Sequence, residues 1–97
     1  MIVNRRTFSI KRPRMQETVD WLRARWKEFN HPHAIRVYTP NIASFDILTF
    51  EIEFESLAGY EKFWADFSAR PETAEFMSKW YELTEGGGTN EIWTLEE

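Results

Sequence analysis

Glu51 and Glu53 stand two residues apart in the run Ile47-Leu48-Thr49-Phe50-Glu51-Ile52-Glu53-Phe54-Glu55. In extended chain that spacing sends both carboxylates to one side of a sheet. A pair of this kind could polarise a ligand or serve as a general base. If the face is covered, each carboxylate needs a partner, because an uncompensated buried charge is strongly destabilising. Arg5, Arg36 and Tyr38 are placed on strand-like segments that could supply one. Arg5, Arg36, Tyr38, Glu51 and Glu53 are thus the candidate ligand-binding set. The plainer reading of the same residues is an ionic seam or a solvated face, since alternating charge on one face of an antiparallel sheet is ordinary.

His31 and His33 flank Pro32, and in extended chain a His-x-His pair can present two imidazoles to a metal. These are the only two histidines, and there is no cysteine. A metal site would have to be completed by carboxylates, so none is assigned. The absence of cysteine removes disulfides, thiolate ligands and thiol nucleophiles, and fits a reducing, cytoplasmic setting. Gly86-Gly87-Gly88 follows a helical pattern and precedes a strand-like one. A phosphate loop needs the opposite order, so the glycines read as a helix stop and no cofactor is expected.

The elements that must hold these residues are legible from periodicity. Val3 to Ile10 alternates, with Asn4, Arg6, Phe8 and Ile10 on one side and Val3, Arg5, Thr7 and Ser9 on the other. After a turn at Pro13, Met15, Val19, Leu22, Trp26 and Phe29 recur every three or four residues and define an amphipathic helix that Pro32 ends. Ala34 to Thr39 reads as a second strand, Pro40 to Ser44 as a hairpin loop, and Phe45 to Glu55 as a third strand with Leu48, Phe50, Ile52 and Phe54 on its core side. Ser56 is placed to cap a second helix carrying Leu57, Tyr60, Trp64 and Phe67. Pro71 would cost roughly 3 kcal/mol inside a continuous helix, which predicts a break near Ala69-Arg70 and a restart carrying Phe76, Met77, Trp80 and Leu83. Thr89 to Leu95 supplies the last strand, with Trp93 and Leu95 on one side.

The string β-α-β-β-α-β predicts an α+β ferredoxin-like sandwich with a four-stranded antiparallel sheet and both helical segments on one face. The other face must meet solvent or a second sheet. At 97 residues, with 42% apolar and 16% aromatic side chains, the chain suits one domain over residues 1–97 whose core is built from few, large groups. Trp26, Trp64 and Trp80 fall on helix stripes and count as core, while Trp21 lies off its stripe's centre and is expected at a barrel edge or dimer rim. Residues 1–39 hold nine of the twelve Lys and Arg, yet the net charge is −4. The basic residues are scattered over several elements and an acidic whole repels phosphate, so nucleic acid is not an expected partner. No stretch approaches the roughly 18 apolar residues of a membrane span, and the N-terminus has no secretory pattern.

The opening Arg6-Thr7-Phe8-Ser9-Ile10-Lys11-Arg12-Pro13, with Phe54-Glu55-Ser56-Leu57-Ala58-Gly59-Tyr60 and Pro71-Glu72 downstream, resembles the NIPSNAP-like version of the dimeric α+β barrel. Arg14 stands after Pro13 where that family usually has Gly. The resemblance implies a homodimer with a ligand-sized cavity and no particular reaction. In the antibiotic-biosynthesis monooxygenases and haem-degrading relatives of the fold, an Asn on the first strand and a Trp on the second long helix line a pocket between helices and sheet. Asn4 and Trp64 are the matching residues, and so the catalytic candidates, with a core role as the plainer reading of Trp64. The haem-degrading members also use a His farther along, and no His follows His33. Three readings result: a homodimeric barrel binding a small apolar or aromatic molecule, a cofactor-independent monooxygenase or isomerase, and a structural protein without a cavity.

Overall fold

A computed structural model describes residues 1–97. The elements follow the order β1 (Ile2–Ser9), α1 (Met15–Trp26), a single 3₁₀ turn (Lys27–Phe29), β2 (Ile35–Tyr38), β3 (Ile47–Phe54), α2 (Leu57–Ala69), α3 (Thr73–Leu83) and β4 (Thr89–Thr94). The strands form one sheet in the order β2-β3-β1-β4, antiparallel at every pairing. This is the expected α+β ferredoxin-like βαββαβ sandwich, with the second helical crossover in two pieces.

The two-residue period of β3 decides which side of the sheet is core. Leu48, Phe50, Ile52 and Phe54 are all buried, and they pack with Val19 and Leu22 of α1 and Trp80 of α3. The helices therefore cover the even-numbered face of β1 and β3, and the odd-numbered face, with Arg5, Thr7, Thr49, Glu51 and Glu53, is left open. Trp21 departs from the expected rim position. It packs 4.7 Å from Phe76 and 6.3 Å from Trp80, centroid to centroid, because α3 lies against the flank of α1.

Local chemistry sets the element ends. No side chain caps the start of α1. Instead Arg14 binds Glu17 through Nε and Nη2 at 2.8 and 2.9 Å and reaches Glu82 Oε1 at 3.0 Å, while Lys79 Nζ meets Glu17 at 2.9 Å. Hydrogen bonds from Arg14 and then Lys79 hold the Glu17 carboxyl down to about 2, and the cluster ties α1 to α3. Ser56 Oγ accepts from Gly59 N at 3.2 Å and caps α2, as the sequence predicts. Helix α2 ends at Ala69, Arg70 is extended, and α3 restarts at Thr73, whose hydroxyl donates to the Phe67 carbonyl. The break falls where Pro71 requires it.

The third strand starts two residues later than periodicity suggests. Asp46 adopts a left-handed conformation (φ 59°), accepts from Ile10 N at 2.7 Å and holds Arg12 through its carboxylate. Pairing therefore begins at Ile47, and Phe45 is left in the loop, 86% exposed. At the same end of β1, Gly88 (φ 112°) lets β4 meet that strand, since a Cβ there would lie 2.3 Å from the Thr7 carbonyl oxygen.

Candidate functional site

The alternation of β1 sends its polar residues to two sites on opposite sides of the sheet. On the helix side Asn4 is wholly buried. Its Nδ2 donates to Asn90 Oδ1 at 2.7 Å and to the Glu91 carbonyl at 3.0 Å. Its Oδ1 accepts from Trp64 Nε1 and from Arg6 Nε, both at 3.2 Å. The carboxamide has two donors and two acceptor positions, and all are used. Asn4 thus locks β4, α2 and the Arg6 side chain to β1.

Arg6 is stacked over the Trp64 ring, with Cζ 3.9 Å from its centroid. This pair forms one wall of a cleft of about 590 Å³ between helices and sheet. Eleven of the fourteen lining residues are hydrophobic; Phe8 and Phe50 form the sheet side, Phe67 and Trp80 the helix side, and Arg6 is the only charged one. The break between α2 and α3 leaves Ser68 and Thr73 at the lining. Large, flat side chains of this kind supply contact area with little rotamer freedom to lose.

On the open face, Glu51 is the hub. Its carboxylate accepts from Arg5 Nε at 2.8 Å and from Tyr38 OH at 3.0 Å, with Arg36 Nε and Nη2 at 3.4 Å. Arg36 Nη1 donates to Glu53 at 2.5 Å, and Arg36 Nε donates to Tyr38 OH at 3.1 Å. Burial pushes the Glu51 carboxyl upward, but hydrogen bonds from Arg5 and Tyr38, with the charge of Arg5, outweigh it and hold it below the usual range. The hydrogen bond to Glu53 raises the Arg36 guanidinium further above its already high value. Arg5 also lies 5.6 Å from the Trp93 ring centroid. The five residues expected to share a site are brought together here, and Arg36 is the partner that Glu51 and Glu53 have in common.

His31 and His33 lie against each other, with ring centroids 5.7 Å apart. His31 Nε2 donates to the Glu53 carbonyl at 2.6 Å, and its ring packs on Phe54 and Phe63. The imidazoles thus pin the loop before β2 onto the end of β3.

Of the two residues expected to line a pocket between helices and sheet, Trp64 lies in the cleft wall, while Asn4 is hydrogen-bonded to it but stands behind the cleft rather than in it. The cleft residue missed by sequence reasoning is Arg6. Its signal was available: a charged residue on the side of β1 that also carries Phe8 and Ile10, where core side chains are expected.

The geometry defines a ferredoxin-like α+β sandwich with an aromatic cleft under its helices. Structural comparison places the chain beside NIPSNAP proteins. A NIPSNAP family protein from Agrobacterium tumefaciens superposes with TM-score 0.84 at 18% identity, covering 99% of this chain and 93% of that one. An uncharacterised NIPSNAP-like domain protein from Burkholderia xenovorans superposes with TM-score 0.82 at 17% identity, covering 98% and 84%. An antibiotic biosynthesis monooxygenase superposes with TM-score 0.72 at 13% identity over the full length of both chains. No protein-family model matches the sequence, and no curated protein matches it significantly. The chain has the NIPSNAP-like ferredoxin fold, which it shares with that monooxygenase. No helix is long and apolar enough to cross a membrane.

Proposed function

We propose that residues 1–97 form one domain of a homodimeric, NIPSNAP-like α+β barrel that binds a small apolar or aromatic molecule between its helices and sheet. The observation that carries this reading is the cleft of about 590 Å³, eleven of whose fourteen lining residues are hydrophobic. Mostly apolar concavities of this size, with few polar groups, are the usual setting of small-molecule sites. A cytoplasmic setting belongs to the same reading, since a fold without disulfides suits a reducing compartment.

Calorimetric titration with naphthalene derivatives tests it, with Ser68→Trp as the control. Ser68 is an exposed helix residue at the cleft, and a large ring there obstructs the opening. The expected result is saturable binding to the native protein and loss of binding in the variant. Equal binding to both would place the ligand elsewhere and overturn the reading.

The open face supports the homodimer. It combines the ionic network with Val3, Ile47, Trp93 and Leu95, and the last two are 52% and 40% exposed. A second sheet packed on this face would cover both the network and these apolar side chains.

The second reading is a cofactor-independent monooxygenase acting on a small aromatic substrate. It is favoured by the Trp64–Asn4 hydrogen bond beside the cleft and by the fold shared with an antibiotic biosynthesis monooxygenase. Oxygen uptake with an electron-rich phenol, abolished in Trp64→Ala, is its signature. Binding is preferred because the hydrogen-bonding capacity of Asn4 is already occupied, leaving it to position Trp64 and Arg6 rather than to touch a substrate.

A further inference from the structure

Arg6 is placed in the cleft in a manner that core packing does not require. Its Nε is spent on Asn4 Oδ1 at 3.2 Å, and its guanidinium plane is held over Trp64. Its two terminal nitrogens make no hydrogen bond, and no carboxylate of the chain pairs with it; Arg5, Arg12, Arg14, Arg25 and Arg36 each have an acidic partner, and the other two unpaired arginines, Arg23 and Arg70, lie outside this cleft. The cleft it lines contains no other charge. The terminal nitrogens of Arg6 are not sealed from solvent, so an anion can reach them, and they are the one charged donor group of an otherwise uncharged lining.

From this arrangement we infer that the cleft takes an apolar or aromatic molecule bearing a single carboxylate, which Arg6 receives on its Nη1–Nη2 edge. The inference rests on the reading of the cleft as a ligand site. The edge left open by the Nε–Asn4 bond has the planar, two-donor geometry that carboxylates accept bidentately. Stacking on Trp64 fixes the plane, so little side-chain freedom remains to be lost on binding. One guanidinium balances one negative charge. A dianionic phosphate would bring a second charge into a wall with no second cation, and a neutral ligand would leave Arg6 as it is. The aromatic side chains opposite, Phe8, Phe67 and Trp80, receive the apolar body of the molecule.

The test compares two probes of nearly equal shape, naphthalene carboxylate and naphthalene carboxamide, titrated calorimetrically into the native protein, Arg6→Gln and Arg6→Lys. The native protein should bind the carboxylate at least about tenfold more tightly, the range expected of a charge-assisted hydrogen bond. Arg6→Gln should erase that preference while keeping affinity for the carboxamide. Arg6→Lys, with the charge but not the fork, should keep part of it, and melting curves confirm that both variants are folded. Equal affinity of the native protein for both probes, or a preference that survives in Arg6→Gln, overturns the inference while the cleft remains a ligand site. If neither probe binds the native protein, the ligand-site reading falls and takes the inference with it.

Discussion

Trp64 on α2 and Asn4 on β1, sixty residues apart in sequence, are joined by an indole N–H donating to a carboxamide oxygen at 3.2 Å. That oxygen also receives Arg6, and the amide nitrogen binds Asn90 and Glu91. One buried side chain therefore sets the spacing of helix and sheet at the cleft. It does so without any apolar contact area of its own, and its worth lies in leaving no buried donor or acceptor unmatched.

Asn4→Ala should destabilise the fold by about 2 kcal/mol, because it removes a satisfied buried hub and takes the partner from Trp64 Nε1 and the Glu91 carbonyl. Trp64→Phe, which keeps a ring but loses the N–H, should cost about 1 kcal/mol. Urea unfolding of the two variants checks the order. A smaller loss for Asn4→Ala than for Trp64→Phe would show that the hub carries little.

Acidification should act through Glu51, the buried one among the carboxylates whose pKa is lowered, Glu17 and Glu82 being exposed. Its folded-state pKa lies below the ordinary carboxylate value of 4.5. A group shifted in that direction contributes stability above its unfolded pKa and loses it as pH falls through the folded one. The native melting temperature should therefore fall below about pH 4.5, and Glu51→Gln should show a shallower fall over the same window. At pH 7 the substitution should cost about 1–2 kcal/mol, less than a fully buried pair, because Arg5 and Arg36 are 41% and 38% exposed. Parallel acid profiles for the two proteins would count against Glu51 as the responsible group.

The glycine run separates into three different demands. At Gly88 a methyl group would collide with the Thr7 carbonyl, and the backbone is left-handed, so Gly88→Ala should cost at least about 2 kcal/mol. Gly87 has φ 91° but open space around it, and Gly87→Ala should cost about 1 kcal/mol. Gly86 has neither constraint, and Gly86→Ala should be close to neutral. Denaturant midpoints of the three variants give the ranking directly.

Sedimentation equilibrium checks the homodimer. The native chain should sediment as a dimer at micromolar concentration, and Trp93→Glu, which sets a carboxylate on the open face, should shift it toward monomer. Native monomer would remove the second sheet from the proposed assembly.

Much of this architecture is legible in the sequence because it obeys two periods. The alternation of Ile47 to Phe54 and the three- and four-residue spacing from Met15 to Phe29 assign faces as well as elements. Pro71 and Ser56 mark the break and the cap by local chemistry alone. What local rules miss depends on distant partners. Asp46 ends the β2–β3 loop late because Ile10 and Arg12 hold it, and Trp21 turns inward because α3 lies beside it. The cleft is implied by the family resemblance but not by the residue pattern itself, for the same reason. Its walls read as ordinary core stripes, and only the packing of α2 and α3 as separate pieces leaves space between them.

Arg5 and Arg6 are consecutive, yet one joins the ionic network of the open face and the other lines the cleft. Strand β1 is thus a partition one backbone thick, and what binds on one side has no direct line to the other. Ligand occupancy and subunit exchange should follow independent equilibria, so that saturating the cleft leaves the dimer dissociation constant unchanged. The same partition makes β1 intolerant of insertion: a single residue added between Asn4 and Arg5 would trade the two guanidinium groups across the sheet and dismantle both surfaces at once.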